Sequence, residues 1–87
     1  MELSKLPNIG PQLAMRLEAV GFKDEDDLKN AGSQQAFLAL LALDPSTCIN
    51  TLYALEGAVR GIRWHGLSTT DKRKLLDFYN ITKLGIK

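Results

Sequence analysis

Eighty-seven residues, 45% of them apolar, suffice for one domain that hides roughly 60–65% of its unfolded surface without disulfides or a structural metal. A formal net charge of +1 excludes a chain drawn to nucleic acid or membrane by overall charge alone. The longest unbroken apolar run, Ala36 to Leu43, is too short to span a bilayer.

Strand signals are nearly absent and helix punctuation is abundant, so the chain reads as all-α. The expected fold is a compact bundle of five to six short helices in a single domain over residues 1–87. Met1-Glu2-Leu3-Ser4 lacks the basic region and apolar run of a signal peptide, and the single cysteine fits a reducing, cytoplasmic compartment. A first short helix is expected from Glu2 to Leu6, stopped by Pro7. The second runs from about Gly10 to Val20 on the stripe Ile9, Leu13, Leu17 and Val20, with Gly21 as its stop.

Asp24 with Asp27 forms a capping box for a brief third helix ending at Ala31-Gly32, and Ser33 caps a fourth that reaches Leu43. Phe37, Leu38, Leu40, Leu41 and Leu43 surround the axis of that fourth helix, which a small domain rarely covers completely. Residues 36–43 are therefore a candidate face for a protein partner or a homodimer, the alternative being a fully buried helix.

Pro45 to Arg63 reads as a central rod, with Cys48, Leu52, Leu55, Val59 and Ile62 on one stripe and the small residues Ala54, Ala58 and Gly61 on another side. Asp44 is its expected N-cap and Pro45 its first turn. Within that stripe Cys48 is read as a small buried hydrophobe. Glu56, one turn from Arg60, is expected to form a shielded ion pair, Trp64 to close the rod's end, and His65 to pack or cap beside it. Ser68 with Asp71 caps a sixth helix that turns Leu75, Leu76, Phe78 and Tyr79 inward, and the tail from Thr82 to Lys87 docks or dangles.

Leu6-Pro7-Asn8-Ile9-Gly10, followed by Ala14, Leu17 and Gly21-Phe22, resembles a helix-hairpin-helix motif. Leu6 and Ile9 anchor the turn, Gly10 lets the backbone bend or approach a partner, and open N–H groups at the helix start suit a phosphate oxygen. Asn8 stands where such hairpins usually carry a first glycine, and Pro11 removes one N–H donor. Because both residues tolerate left-handed backbone, Asn8→Gly is expected to change stability by under about 1 kcal/mol.

Joined to that hairpin, the segment Leu52-Tyr53-Ala54-Leu55-Glu56-Gly57-Ala58-Val59-Arg60-Gly61-Ile62-Arg63-Trp64-His65 resembles the C-terminal domain of the TfoX/Sxy regulators of DNA-uptake competence, over about residues 4 to 80. The resemblance implies a helix-hairpin-helix-like helical domain, a role in transcription control or DNA transactions, and no catalysis. Full-length members carry another domain ahead of this one, and a chain opening at Met1 is expected to stand alone or to be an excised piece.

Charge is unevenly spread. Residues 1–44 hold four Lys/Arg and seven Asp/Glu, whereas residues 45–87 hold seven and three. Arg60 and Arg63 end the rod, and Lys72, Arg73 and Lys74 open the next helix, where cations oppose the helix dipole. The candidate duplex-DNA contacts are Asn8, Gly10, Gln12, Arg60, Arg63, Lys72, Arg73 and Lys74, all directed at phosphates rather than bases. A rigid structural turn, a protein-docking corner and plain solvated charge are the alternatives the residues leave open. With no paired acids, nucleophile–base pair, metal-ligand spacing or cofactor motif, the chain is read as a non-enzyme that takes no cofactor.

Overall fold

The computed structural model describes residues 2–85, and every regular element among them is helical. Four α-helices follow a 3-10 turn at Leu3–Lys5: α1 (Pro11–Ala19), α2 (Glu25–Leu43), α3 (Ile49–Arg60) and α4 (Thr69–Gly85), with a second 3-10 turn at Trp64–Gly66 before α4. The expected count of five to six is corrected at the N-terminus. The first helix shrinks to a 3-10 turn because Pro7 follows it. The third and fourth are both there, numbered together as α2: Gly32, with a φ of 83° and ψ of 165° that only glycine adopts readily, breaks the helical backbone between them as expected.

Several caps follow the sequence closely. The Asp24 carboxylate accepts from the Asp27 N–H, while Asp27 reaches back to the N–H of Lys23, one residue beyond the expected reciprocal partner. Gly21, at φ 103°, lets the Phe22 N–H return to the Leu17 carbonyl, closing α1 in a Schellman arrangement. Ser68 caps α4 through the Asp71 N–H. That last helix continues as far as Gly85; Ile86 and Lys87 of the expected tail lie outside the described residues.

The rod starts later than its cap signal suggested. Asp44 accepts from both the N–H and the hydroxyl of Ser46, folding residues 44–47 into a turn, so α3 begins at Ile49. Short polar side chains that bond their own backbone compete with a helix start in just this way. Cys48 thereby becomes the exposed residue before the helix rather than a buried member of its stripe. Burial pushes its thiol up, but the backbone N–H groups of Thr51 and Asn50 outweigh that, and the net shift is downward. The rod also ends early: Gly61, in left-handed backbone, stops it, and Ile62 is 38% exposed instead of buried.

With these corrections α3 remains central. Leu52, Leu55 and Ala58 are fully buried, and α3 packs against α2, α4 and the Trp64–Gly66 turn. The second half of α2 supplies Ala36, Phe37, Leu40 and Leu41 to the same core. Leu38 and Ala39 are half-buried, so the broad open face expected over residues 36–43 shrinks to Ala42 and Leu43. On α4, Leu75 is buried and Phe78 and Tyr79 are half-buried, but Leu76 is 40% exposed. No helix among the described residues is long and apolar enough to cross a membrane.

Candidate functional site

The hairpin turn and the end of the rod meet through one side chain. Leu6 and Ile9 are buried on either side of Asn8, which takes the left-handed backbone expected of it, φ 70°. Its amide then does what a glycine could not. Nδ2 donates to the Ile62 carbonyl at 2.9 Å and to the Ala54 carbonyl at 3.4 Å, and Oδ1 accepts from the Trp64 N–H at 3.1 Å. Asn8 is thus a clamp between residues more than forty positions apart, and Asn8→Gly is accordingly expected to cost stability rather than to be nearly neutral.

Gly57 makes room for this clamp. A Cβ there would stand 2.4 Å from Asn8 Nδ2 and 2.7 Å from the Ile62 carbonyl oxygen, closer than side-chain carbons are found. A mid-helix glycine costs about 1 kcal/mol against alanine, and this close approach is the packing reason for it.

The clamp sets the open start of α1 beside the loop that follows α3. Gly10 and Gln12 are exposed there, and no side chain caps the helix. Gly10 itself has φ −87° and nothing within 4 Å of a built Cβ, so the expected bend is not its purpose; only close approach from outside would use the missing side chain.

The five cations of the expected basic patch separate into two kinds. Arg60 is held between carboxylates: its Nε donates to Glu56, its Nη1 to Asp71 at 2.8 Å. Glu56 also accepts from the buried Ser33 hydroxyl at 2.6 Å, so Ser33, Glu56, Arg60 and Asp71 form one chain of contacts across α2, α3 and α4. The shielded Glu56–Arg60 pair is therefore present, and Ser33 serves it rather than capping a helix.

Lys72 lies with its ammonium 5.2 Å from the Trp64 ring centroid. Arg63, Arg73 and Lys74 are exposed and make no salt bridge among the described residues. Elsewhere Arg16 donates to Thr47 at 2.7 Å and Lys83 to the Pro45 carbonyl, so neither adds to this face.

The Arg60 contacts carry a pH signature. The hydrogen bond from Arg60, aided by Ser68, holds the Asp71 carboxyl below its ordinary range, and Glu56 with Asp71 raises Arg60. A depressed carboxyl stabilises the fold above its unfolded value of about 4 and ceases to as pH falls through the folded value. Denaturation midpoints should therefore drop between about pH 5 and pH 3, and Asp71→Asn should lose less over that interval than the parent. The difference should be modest, because this pair is open to solvent and salt.

Three aromatic rings sit beside the cations. Tyr53 and Trp64 lie 5.9 Å apart and 13° from parallel, and His65 stacks on Trp64 at 4.0 Å. Tyr53 also borders an open cleft of about 220 Å³ with Thr69, Lys72, Arg73 and Leu76. Sequence reasoning missed Tyr53, Thr69 and Leu76 here; the one available signal was a tyrosine and a tryptophan flanking the end of a cationic helix. No group of three or more side chains suited to hold a metal ion occurs among the described residues.

A family model described as the TfoX C-terminal domain matches residues 1–79. Two crystal structures of Listeria monocytogenes proteins are similar. One, an uncharacterized protein in a triclinic form, is 47% identical with a TM-score of 0.94, covering 95% of this chain and 94% of its own. The other, a protein of unknown function in a tetragonal form, is 50% identical with a TM-score of 0.88, covering 90% and 96%. No curated protein matches the chain.

Proposed function

The chain belongs to the TfoX C-terminal domain family, and from that premise we propose that it is a non-enzymatic module that grips duplex DNA by its phosphates, in transcription control or other DNA transactions. The observation that carries the reading is the Asn8 clamp. It joins the turn over residues 6–10, which a 3-10 turn rather than a full helix precedes, and the open helix start at Gly10 and Gln12 to the loop bearing Arg63 and to Lys72 against Trp64. Helix N-termini and unpaired cations on one face favour a phosphate backbone. Asn8 and Arg60, both occupied internally, support that face rather than touch DNA.

Salt dependence tests this. With Arg63, Lys72, Arg73 and Lys74 neutralising about three to four phosphates, log affinity should fall with log salt at a slope near −2.7 to −3.6, from a micromolar or weaker affinity. Lys72→Glu with Arg73→Glu should weaken binding equally on every sequence and flatten that slope by about 2. Gly10→Val should fold, since the space beside Gly10 is open, and bind less well by blocking backbone approach. Absence of binding at low salt excludes the DNA reading.

A second reading, docking of a protein or a second copy, has its own observation. Leu43, Ile81 and Leu84 are 57%, 71% and 64% exposed, and Lys83 ties the end of α4 to the turn after Leu43. Sedimentation at micromolar concentration yielding only monomer removes the self-association form of it.

A further inference from the structure

We infer that the cleft between α3 and the first turns of α4 is a stacking site for one unstacked base of single-stranded DNA, with Lys72 and Arg73 on its adjoining phosphate. The inference rests on the nucleic-acid reading above and adds to it a strand preference and a separate contact.

Size comes first. Sites that enclose a whole small ligand run to about 300–1,000 Å³. A cleft of about 220 Å³, open to solvent, takes one unit of a longer chain instead. Its walls are apolar at Tyr53 and Leu76 and cationic at Lys72 and Arg73, and Thr69 lines it as well. A planar apolar ring carrying an anion uses all of these at once.

The rings behind the cleft narrow the choice further. Tyr53, Trp64 and His65 form a near-parallel series, and Tyr53 brings that series to the cleft wall. A base entering beside Tyr53 extends the series, as in single-strand sites built on aromatic platforms. An acidic peptide would use the cations but leave the ring series unexplained. An uncharged apolar side chain would leave the cations unused.

The local charge is open to such a ligand. Lys72 is held in place by the Trp64 ring, which does not cancel its charge, and Arg73 has no salt-bridge partner among the described residues. Of the nearby carboxylates, Glu56 and Asp71 are both turned onto Arg60. Asp77, one turn beyond Arg73, remains as the opposing charge. In a duplex both faces of a base are covered by its neighbours, so only an unpaired or flipped base can enter.

Trp64 is the only tryptophan and so reports on its own ring series. The intact chain is titrated with a short oligothymidine strand and with a blunt duplex of equal length, at matched salt. The single strand should bind about tenfold more tightly and change Trp64 fluorescence, the size expected for one stacked base. Tyr53→Leu, checked for folding by circular dichroism, should remove most of that preference and leave duplex affinity within about twofold; Tyr53→Phe should retain it.

Equal affinity for the two DNA forms overturns the stacking site while leaving the duplex-grip reading standing. Loss of both forms together in Tyr53→Leu overturns it as well. An absence of binding to either form brings down both proposals. An acidic aromatic peptide that binds where oligothymidine does not would assign the cleft to a protein. The strand comparison on the unaltered chain decides the matter even where a variant folds poorly.

Discussion

Gly57→Ala is expected to destabilise this domain by about 3 kcal/mol or more, against the usual direction of such a change. Filling a mid-helix glycine with alanine ordinarily stabilises by about 0.5–1 kcal/mol through backbone entropy. Here the added methyl meets Asn8 Nδ2 at 2.4 Å, the Ile62 carbonyl oxygen at 2.7 Å and the Trp64 nitrogen at 3.1 Å. The Asn8 side chain could swing aside, but only by giving up its bonds to Ile62 and Trp64. The Ile62 carbonyl is backbone, held by the left-handed Gly61 that ends α3, and moves only with the whole turn. Overpacking costs about 1–3 kcal/mol, and the partly buried Trp64 N–H left without its hydrogen bond adds about 1–3 kcal/mol, whereas the Ile62 carbonyl opens to solvent and adds less.

Asn8→Gly, which empties the clamp without overfilling it, should cost about 1–3 kcal/mol by the second route alone. If both changes act through the same clamp, Gly57→Ala should cost clearly less in the Asn8→Gly background than in the parent. Urea titrations of the two single variants and the double variant measure this. A Gly57→Ala chain as stable as the parent would falsify the clamp.

The clamp also marks where sequence reading stops. Helix identity was legible because it is local: Asp24 with Asp27, Ser68 with Asp71, Gly21 after Val20 and the Glu56–Arg60 pair all act within a few residues. Two errors came from local signals that point both ways. Asp44 before Pro45 resembles a helix start, yet Ser46 and Thr47 supply the hydroxyls that make a turn instead. Gly32 does break the helix as its sequence suggests, but Ser33 after it turns toward Glu56 instead of capping the next turn.

What was not legible is long-range. Nothing near Asn8 names Ile62 or Trp64 as its partners, so a residue that looked like an impaired DNA contact proved to be the join between hairpin and rod. The basic patch illustrates the same limit. All five are cations in sequence, and only the fold separates Arg60, claimed by Glu56 and Asp71, from the four that make no salt bridge among the described residues, of which Lys72 lies over Trp64.

The second large effect is expected at Phe37→Ala, about 3–5 kcal/mol, the range for removing a buried phenylalanine. Phe37 is fully buried on the second half of α2 and lies 5.8 Å from the Tyr79 ring at a 56° tilt. A tilted aromatic pair adds about 0.5–1.5 kcal/mol beyond area burial. The loss should not fall evenly. Helix α4 is joined to the body by Leu75, by Phe78 and Tyr79, by the solvent-open Arg60–Asp71 pair and by Lys83 on the Pro45 carbonyl.

Without Phe37 the later part of α4 loses its aromatic anchor, while Leu55 and Leu52 still hold α3 against α2. Amide exchange in Phe37→Ala should therefore accelerate first from Phe78 onward, ahead of α3. Tyr79→Leu keeps the apolar bulk and should cost only about 1 kcal/mol, isolating the ring–ring part. Leu55→Ala, at about 2–5 kcal/mol, should speed exchange throughout the domain, because α3 touches α2, α4 and the Trp64 turn together. A uniform acceleration in Phe37→Ala would mean that α4 is not a separable layer and that the core unfolds as one unit.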